Sequence, residues 1–183
     1  MHARSLAQTS QIGSVERMPD DPQRPRLDGE RLERWSALAT LLEWLPAALD
    51  AQLQHDAGLT HFEYGILYAL SRADGGELRM SVLAGFANSS LTRLSRAVAR
   101  LEARGLVRRS IDADDGRFTL ATLTEAGRDK EAEAAPGHAE LVDRVVFSAL
   151  TATQQRQLGE ISTRITSAIR SEAAWRPPSV DGR

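Results

Sequence analysis

The chain has 183 residues, 42% of them hydrophobic and 26% charged, a formal net charge of −2 and no cysteine. That length allows one domain with a sizeable core, or a small domain plus an extension, while the missing cysteine excludes a disulfide framework, a thiolate zinc site and cysteine redox sensing. No apolar run of membrane-span length and no signal-type segment is present, so a cytoplasmic protein without membrane contact is expected.

Charge is unevenly placed. Lys130 is the only lysine, and Arg93, Arg96, Arg100, Arg104, Arg108 and Arg109 face a single acid, Glu102, between Asn88 and Arg109, a net +5 in that window. Arginine suits bidentate recognition of phosphate and guanine, although an Arg and Ala bias also follows from genome composition.

In chain order, residues 1–28 mix Ser, Gln, Pro and Arg without periodicity ("MPDDPQRPRLDGE") and read as a flexible extension. From Leu32, the apolar positions Trp35, Leu38, Leu41, Leu42, Leu45, Leu49 and Leu53 recur at helical spacing, with Pro46 as an expected kink. Thr60-His61-Phe62-Glu63 is a capping box that opens a second helix carrying Ile66, Leu67 and Leu70, which stops near "ADGG" at 73–76.

A short helix is expected around Arg79–Phe86, and Asn88, Ser89 or Ser90 can cap the next. That next helix puts Leu91, Leu94, Val98 and Leu101 on one face and Thr92, Arg93, Arg96 and Arg100 on or beside the other, until Gly105 ends it. Two helices joined by a polar turn, the second basic on its open face, make a helix-turn-helix candidate. "LVRRSI" (106–111) and "RFTLATL" (117–123) flank the turn cluster "DADDG" and read as a β-hairpin.

Thr124 caps a further helix, which "APGH" at 135–138 is expected to interrupt before Leu141, Val145, Val146 and Ala149 resume the stripe. "TATQ" at 151–154 is another capping box, and Leu158, Ile161, Ile165 and Ile169 form a narrow seam. The fold class expected is mainly α with a small β-hairpin wing: a winged helix-turn-helix core, bracketed by helices with more apolar surface than one small domain needs. A dimer through those outer helices follows, against the alternative of a monomeric bundle closed by the seam.

"LAGFANSSLTRLSRAVARLEARGLVRRSIDADDGRFTLATLTEAG", residues 83–127, resembles the core of MarR-type winged-helix transcription regulators, through "RLEARGLVRR", the acidic wing followed by arginine, and "LTEAG". The helix order matches that family from about residue 30 to 172. The resemblance implies a domain at 29–172, with a DNA-binding lobe at 57–123, dimerisation helices at 29–56 and 124–172, and a tail at 173–183. It implies a homodimer on double-stranded DNA at a pseudo-palindromic operator, often a repressor released by a small molecule, here a small aromatic ligand. Family members lay the helix beginning near Ser89 or Ser90 in the major groove. Ser89, Ser90, Thr92, Arg93 and Arg96 are then the candidates for bases and adjacent phosphates, with Arg100 and Arg104 serving phosphates or the protein itself.

In the wing, Asp115 and Arg117 are two apart, so in an extended segment the carboxylate holds the guanidinium toward a minor groove. The family pattern has a second arginine where this chain has Gly116, which can instead let the tip turn tightly. Effectors in the family often lie between the dimer helices and the DNA-binding lobe, where Trp44, His61, Phe62, Tyr64 and Tyr68 are candidates, though ordinary core roles fit them as well.

Competing chemistries lack their residues. Asp112, Asp114 and Asp115 alternate as calcium ligands do, but the twelfth-position glutamate and flanking helices of that motif are missing, and His55 and His61 have no carboxylate cluster at ligand spacing. No metal, cofactor or enzyme activity is expected, since nucleophile-elbow, P-loop and dinucleotide-binding motifs are absent. A winged-helix module that binds proteins rather than specific DNA is the alternative function.

Overall fold

The computed structural model describes residues 26–171. The extension at 1–28, apart from residues 26–28, and the tail at 173–183 lie outside the described residues. The chain divides into two compact units at Leu38/Ala39. In the first, the start of helix α1 (Gly29–Ala57) carries an Arg34–Glu30 ion pair one turn apart and leaves Leu32 and Trp35 exposed.

The second unit holds the rest: α2 (His61–Ser71), a 3₁₀ turn (Asp74–Gly76), β1 (Glu77–Arg79), α3 (Met80–Phe86), α4 (Leu91–Ala103), β2 (Val107–Ile111), β3 (Thr119–Leu123), α5 (Glu125–Val142), a π turn (Asp143–Phe147) and α6 (Ala152–Ser171). Six helices and a small sheet bear out the fold class expected. Its core is built from Leu53 and Leu59, Ile66, Leu67 and Leu70 of α2, Leu83 of α3, and Leu94, Val98 and Leu101 of α4, all fully buried. The apolar stripe of α4 is therefore its inner face, with one exception: Leu91, expected inside, is 42% exposed at the start of the helix.

Local chemistry sets the ends of these elements. Thr60 caps α2 in a capping box with Glu63, Ser90 caps α4, Thr124 caps α5, and the Thr151–Gln154 box opens α6. Gly105, at φ 72°, closes α4: the Gly105 N–H donates to Glu102 and the Leu106 N–H to Leu101, satisfying carbonyls that the last turn leaves open.

The hairpin is part of a three-stranded antiparallel sheet in the order β1-β3-β2. Val107 faces Leu123 and Arg109 faces Ala121, while Leu78 faces Ala121 from the other side. Strand β1 is too short for an alternation pattern to reveal it, and β3 starts at Thr119 rather than at Arg117 because residues 116–117 belong to the turn.

Helix α5 runs unbroken through Pro136, contrary to the expected interruption at 135–138. Pro136 and Ala132, whose carbonyl loses its partner, are both exposed, so water replaces the missing bond and no buried group is stranded. Pro46 likewise sits inside α1. The break in the stripe comes later, at the π turn, where the Ser148 N–H reaches back five residues to Asp143.

Helix α5 packs on α2 through an aromatic joint: the ring of His138 lies 4.7 Å from that of Tyr64 and 5.8 Å from that of His61. Burial holds both histidines below their ordinary pKa, keeping the pair neutral at neutral pH. At its start, α5 meets the chain leaving α4. A Cβ on Gly127 would stand 2.0 Å from the Leu106 carbonyl oxygen, a distance no side chain tolerates. Gly127→Ala is expected to cost about 1–3 kcal/mol, read as a lower denaturation midpoint at unchanged slope.

Candidate nucleic-acid interface

Helices α3 and α4 are joined by the four residues Ala87 to Ser90. Asn88 takes the left-handed conformation, φ 43°, that its short polar side chain tolerates, and the Ser89 N–H donates to Ala84 to close the end of α3. The Ser90 hydroxyl accepts from the Arg93 N–H at 3.3 Å, and the Ser89 hydroxyl donates to the Ser90 carbonyl at 3.2 Å. Both sequence candidates thus shape the start of α4, where the positive helix end favours an anion.

Thr92, Arg93, Arg96 and Arg100 all project from the exposed side of α4, as its periodicity requires. The helix is flanked by two clefts. One, about 430 Å³, is lined by Thr60, Phe62, Ser90, Thr92 and the three arginines at 93, 96 and 100. The other, about 210 Å³, runs between Leu91 and Ser95 of α4 and Arg109, Arg117 and Phe118 of the wing.

The arginines of this surface are not equivalent. The Arg100 Nε donates to Glu63 at 2.8 Å, so this candidate is held by the protein while its side chain stays 58% exposed. Arg104 donates to the Gly58 carbonyl at 3.0 Å, and Arg109 donates to Glu102 through backbone and side chain. Arg93 lies over the Phe62 ring at 4.5 Å. Arg96 lines the cleft and, among the described residues, has no acidic partner.

Glu63 was visible in the sequence only as a cap residue. It is buried, and both its oxygens are used: one accepts from the Thr60 N–H at 3.1 Å, the other from Arg100. Desolvation alone would raise its pKa; the Thr60 and Arg100 hydrogen bonds outweigh burial and hold it below the ordinary value. The cap of α2 and the position of α4 thus share one carboxylate.

The wing rests on another carboxylate that motif reading missed. Asp112 is buried and accepts from the Asp114 N–H at 2.9 Å and from Arg79 of β1 at 2.8 Å, and hydrogen bonds from Asp114 and then Arg79 lower its pKa. The signal available was the Asx-turn pattern, an aspartate bonding backbone two residues on. It is a turn organiser: the Asp112 carboxylate meets backbone N–H groups and the Arg79 guanidinium, and the Asp115 carboxylate meets Arg117. Arg79 in turn covers the Phe118 ring at 4.4 Å.

Asp115 and Arg117 are brought together: the Arg117 Nε donates at 2.9 Å and its Nη2 at 2.6 Å, a two-pronged pair that lowers the Asp115 pKa and raises that of Arg117. The expected geometry is corrected in one respect. The pair closes within a turn rather than along an extended strand, because the Asp112 N–H donates to the Phe118 carbonyl in the backbone bond that ends the hairpin. The Arg117 side chain stays 84% exposed. Gly116 has no positive φ, and a Cβ there would meet only Ile111 at 3.9 Å, so neither strain nor crowding demands glycine at that place.

The effector candidates separate. Tyr64 stacks near Tyr68 and His138, His61 joins His138, Phe62 turns toward Arg93 of α4, and Trp44 is 75% exposed on α1.

Two helices joined by a tight turn, the second exposed along its basic side and backed by a three-stranded sheet with a protruding hairpin, define a winged helix-turn-helix protein. A model of the MarR family matches residues 57–117. Among solved structures, the MarR family transcriptional regulator Sco3205 from Streptomyces coelicolor, crystallised in complex with DNA, is 39% identical with a TM-score of 0.81, over 85% of this chain and 98% of that one. AbsC, a MarR family regulator from the same organism, is 31% identical with a TM-score of 0.77, over 81% and 100% of the two chains. The uncharacterized HTH-type transcriptional regulator YdcH of Bacillus subtilis is 32% identical over 93 residues, which are 50% of this chain and 63% of that relative. The chain belongs to the MarR family, whose members are transcriptional regulators rather than enzymes. No described helix is long and apolar enough to cross a membrane.

The shared carboxylate has a pH signature. Because folding lowers the Glu63 pKa, its contribution is complete above the ordinary value of 4.5 and disappears as pH falls through the folded value. Glu63→Gln should cost about 1–2 kcal/mol at neutral pH, discounted for the exposed Arg100, and chemical denaturation should show the gap to wild type closing below pH 4.5.

Proposed function

We propose that the protein is a homodimeric, sequence-specific DNA-binding regulator that lays α4 in the major groove of a pseudo-palindromic operator and sets the wing against an adjacent minor groove. The observation that carries this reading is the exposed side of α4, whose hydroxyls and arginines lie between two clefts, one lined by Arg93, Arg96 and Arg100 and the other by Arg109 and Arg117. Arg96 reads a base, Thr92 and Arg93 contact bases or neighbouring phosphates, and the Ser89 and Ser90 hydroxyls meet a phosphate at the helix start. Arg100, fixed by Glu63, serves the backbone. Arg117, fixed by Asp115, reaches the minor groove.

The outer helices supply the dimer, as segments 29–56 and 124–172. Leu41, Leu42 and Trp44 of α1 and Ile161, Ile165 and Ile169 of α6 are all exposed, apolar surface that a second copy would cover. Sco3205 was crystallised with DNA, which supports DNA as the partner of this chain. Repression relieved by a small molecule is the mode of control that goes with this reading. Such a molecule acts only through its differential affinity for the DNA-bound and free states.

Footprinting the purified protein on the DNA beside its own gene tests the whole reading. Two protected half-sites about one helical turn, roughly 34 Å, apart are expected. The same binding on every sequence, or none, would make this a protein-interaction module instead. Arg96→Ala should weaken operator binding by about 1–3 kcal/mol and random DNA much less; equal losses on both would reassign Arg96 to phosphate. Asp115→Ala should weaken operator binding although it removes negative charge, because it releases Arg117. Tighter binding by that variant would mean that charge repulsion outweighs orientation.

A further inference from the structure

Ile111 is 72% exposed, a large apolar side chain left uncovered on the wing. The sheet register gives its direction. Residues directly opposite on paired strands share a face, and Val107 stands against Leu123, Arg109 against Ala121 and Ile111 against Thr119. The lower part of that face is buried in the core at Val107, Ala121 and Leu123. Its upper part leaves the core, and there Arg109 and Thr119 line the cleft between the wing and α4. Ile111 continues this side toward the tip, where Arg117 lines the same cleft.

The neighbours of Ile111 hold it in place and leave it bare. The next residue, Asp112, is buried and accepts from the Asp114 N–H and from Arg79, so the backbone that carries the side chain is fixed. Across the turn, a Cβ on Gly116 would stand 3.9 Å from an Ile111 methyl group, and glycine puts nothing over it.

We propose that Ile111 is a specificity-determining residue, which selects A·T pairs under the wing by an apolar contact in the minor groove. The proposal rests on the DNA-binding reading above. In the minor groove an A·T pair presents only acceptors, whereas a G·C pair adds the 2-amino group of guanine. An isoleucine against that amino group strips its water and returns no hydrogen bond; over A·T pairs it packs on the sugar walls instead. Arg117 draws the wing toward the phosphates, and Ile111 decides which pairs let it settle.

Hydroxyl-radical footprinting of the full-length protein on the DNA beside its own gene locates the base pairs under the wing. Three duplexes are then compared in which those pairs are A·T, G·C or inosine·C, the last keeping the major-groove pattern of G·C without the 2-amino group. Wild type should bind A·T and inosine·C alike and G·C about tenfold more weakly. Ile111→Thr keeps a β-branched side chain at an exposed strand position, so its melting temperature should be unchanged while it binds the three duplexes nearly alike. A wild type that binds G·C and inosine·C equally overturns the proposal and leaves the functional reading intact. So does a difference that persists in Ile111→Thr, and its loss in Arg117→Gln would assign the selection to the arginine. A protein without any sequence-specific footprint overturns the functional reading and this proposal with it.

Discussion

The position of α4 depends on one buried carboxylate. Glu63 lies on α2, yet it reaches Arg100 on α4 while satisfying the N–H at the start of its own helix. A carboxylate taken out of water has to have its oxygens filled, and here one partner is local and the other lies 37 residues away. The same end of α2 binds α1, because the His61 N–H donates to Asp50 at 2.8 Å. Three helices are thereby tied at one point, and a displacement of α1 has a direct polar route to the helix that carries Arg93 and Arg96. Apolar packing of Leu94, Val98 and Leu101 fixes how deep α4 sits; it leaves the helix freer to slide or turn about its axis than directional hydrogen bonds do.

The wing repeats the arrangement at smaller scale. Asp112 ties the hairpin to β1 through Arg79, and Asp115 ties Arg117 to the tip. Each carboxylate first organises backbone and then aims a guanidinium. In both regions acids are internal partners of the arginines beside them: Glu63 of Arg100, Glu102 of Arg109, Asp112 of Arg79 and Asp115 of Arg117, so their negative charge is largely compensated in place.

Much of this was legible in the residues. The capping boxes at Thr60 and Thr151, the periodicity of α4 and the turn residues of the hairpin are local chemistry, and each produced its element. Long-range pairing was not legible: no pattern within "THFE" says that Glu63 will meet Arg100, and nothing in "ELR" marks a third strand whose partner lies more than forty residues away. Pro136 misled because helix propensity penalises proline without knowing whether the orphaned carbonyl faces water. The Asp115–Arg117 pair was read correctly from spacing for a geometry that differs, since a turn can bring i and i+2 together as well as a strand can.

The pairing of arginines with acids also bears on how many salt ions such a surface can release. Counting arginines between Asn88 and Arg109 suggests a strong polyelectrolyte effect, but Arg100 and Arg109 already sit against carboxylates, and so does Arg117 in the wing. A paired guanidinium brings no net charge to a phosphate and displaces few condensed cations. The thermodynamic footprint of this surface on a polyanion is therefore set by Arg93, Arg96, Arg104, whose partner is the neutral Gly58 carbonyl, and Arg108, and its dependence on ionic strength should be shallower than its arginine content implies.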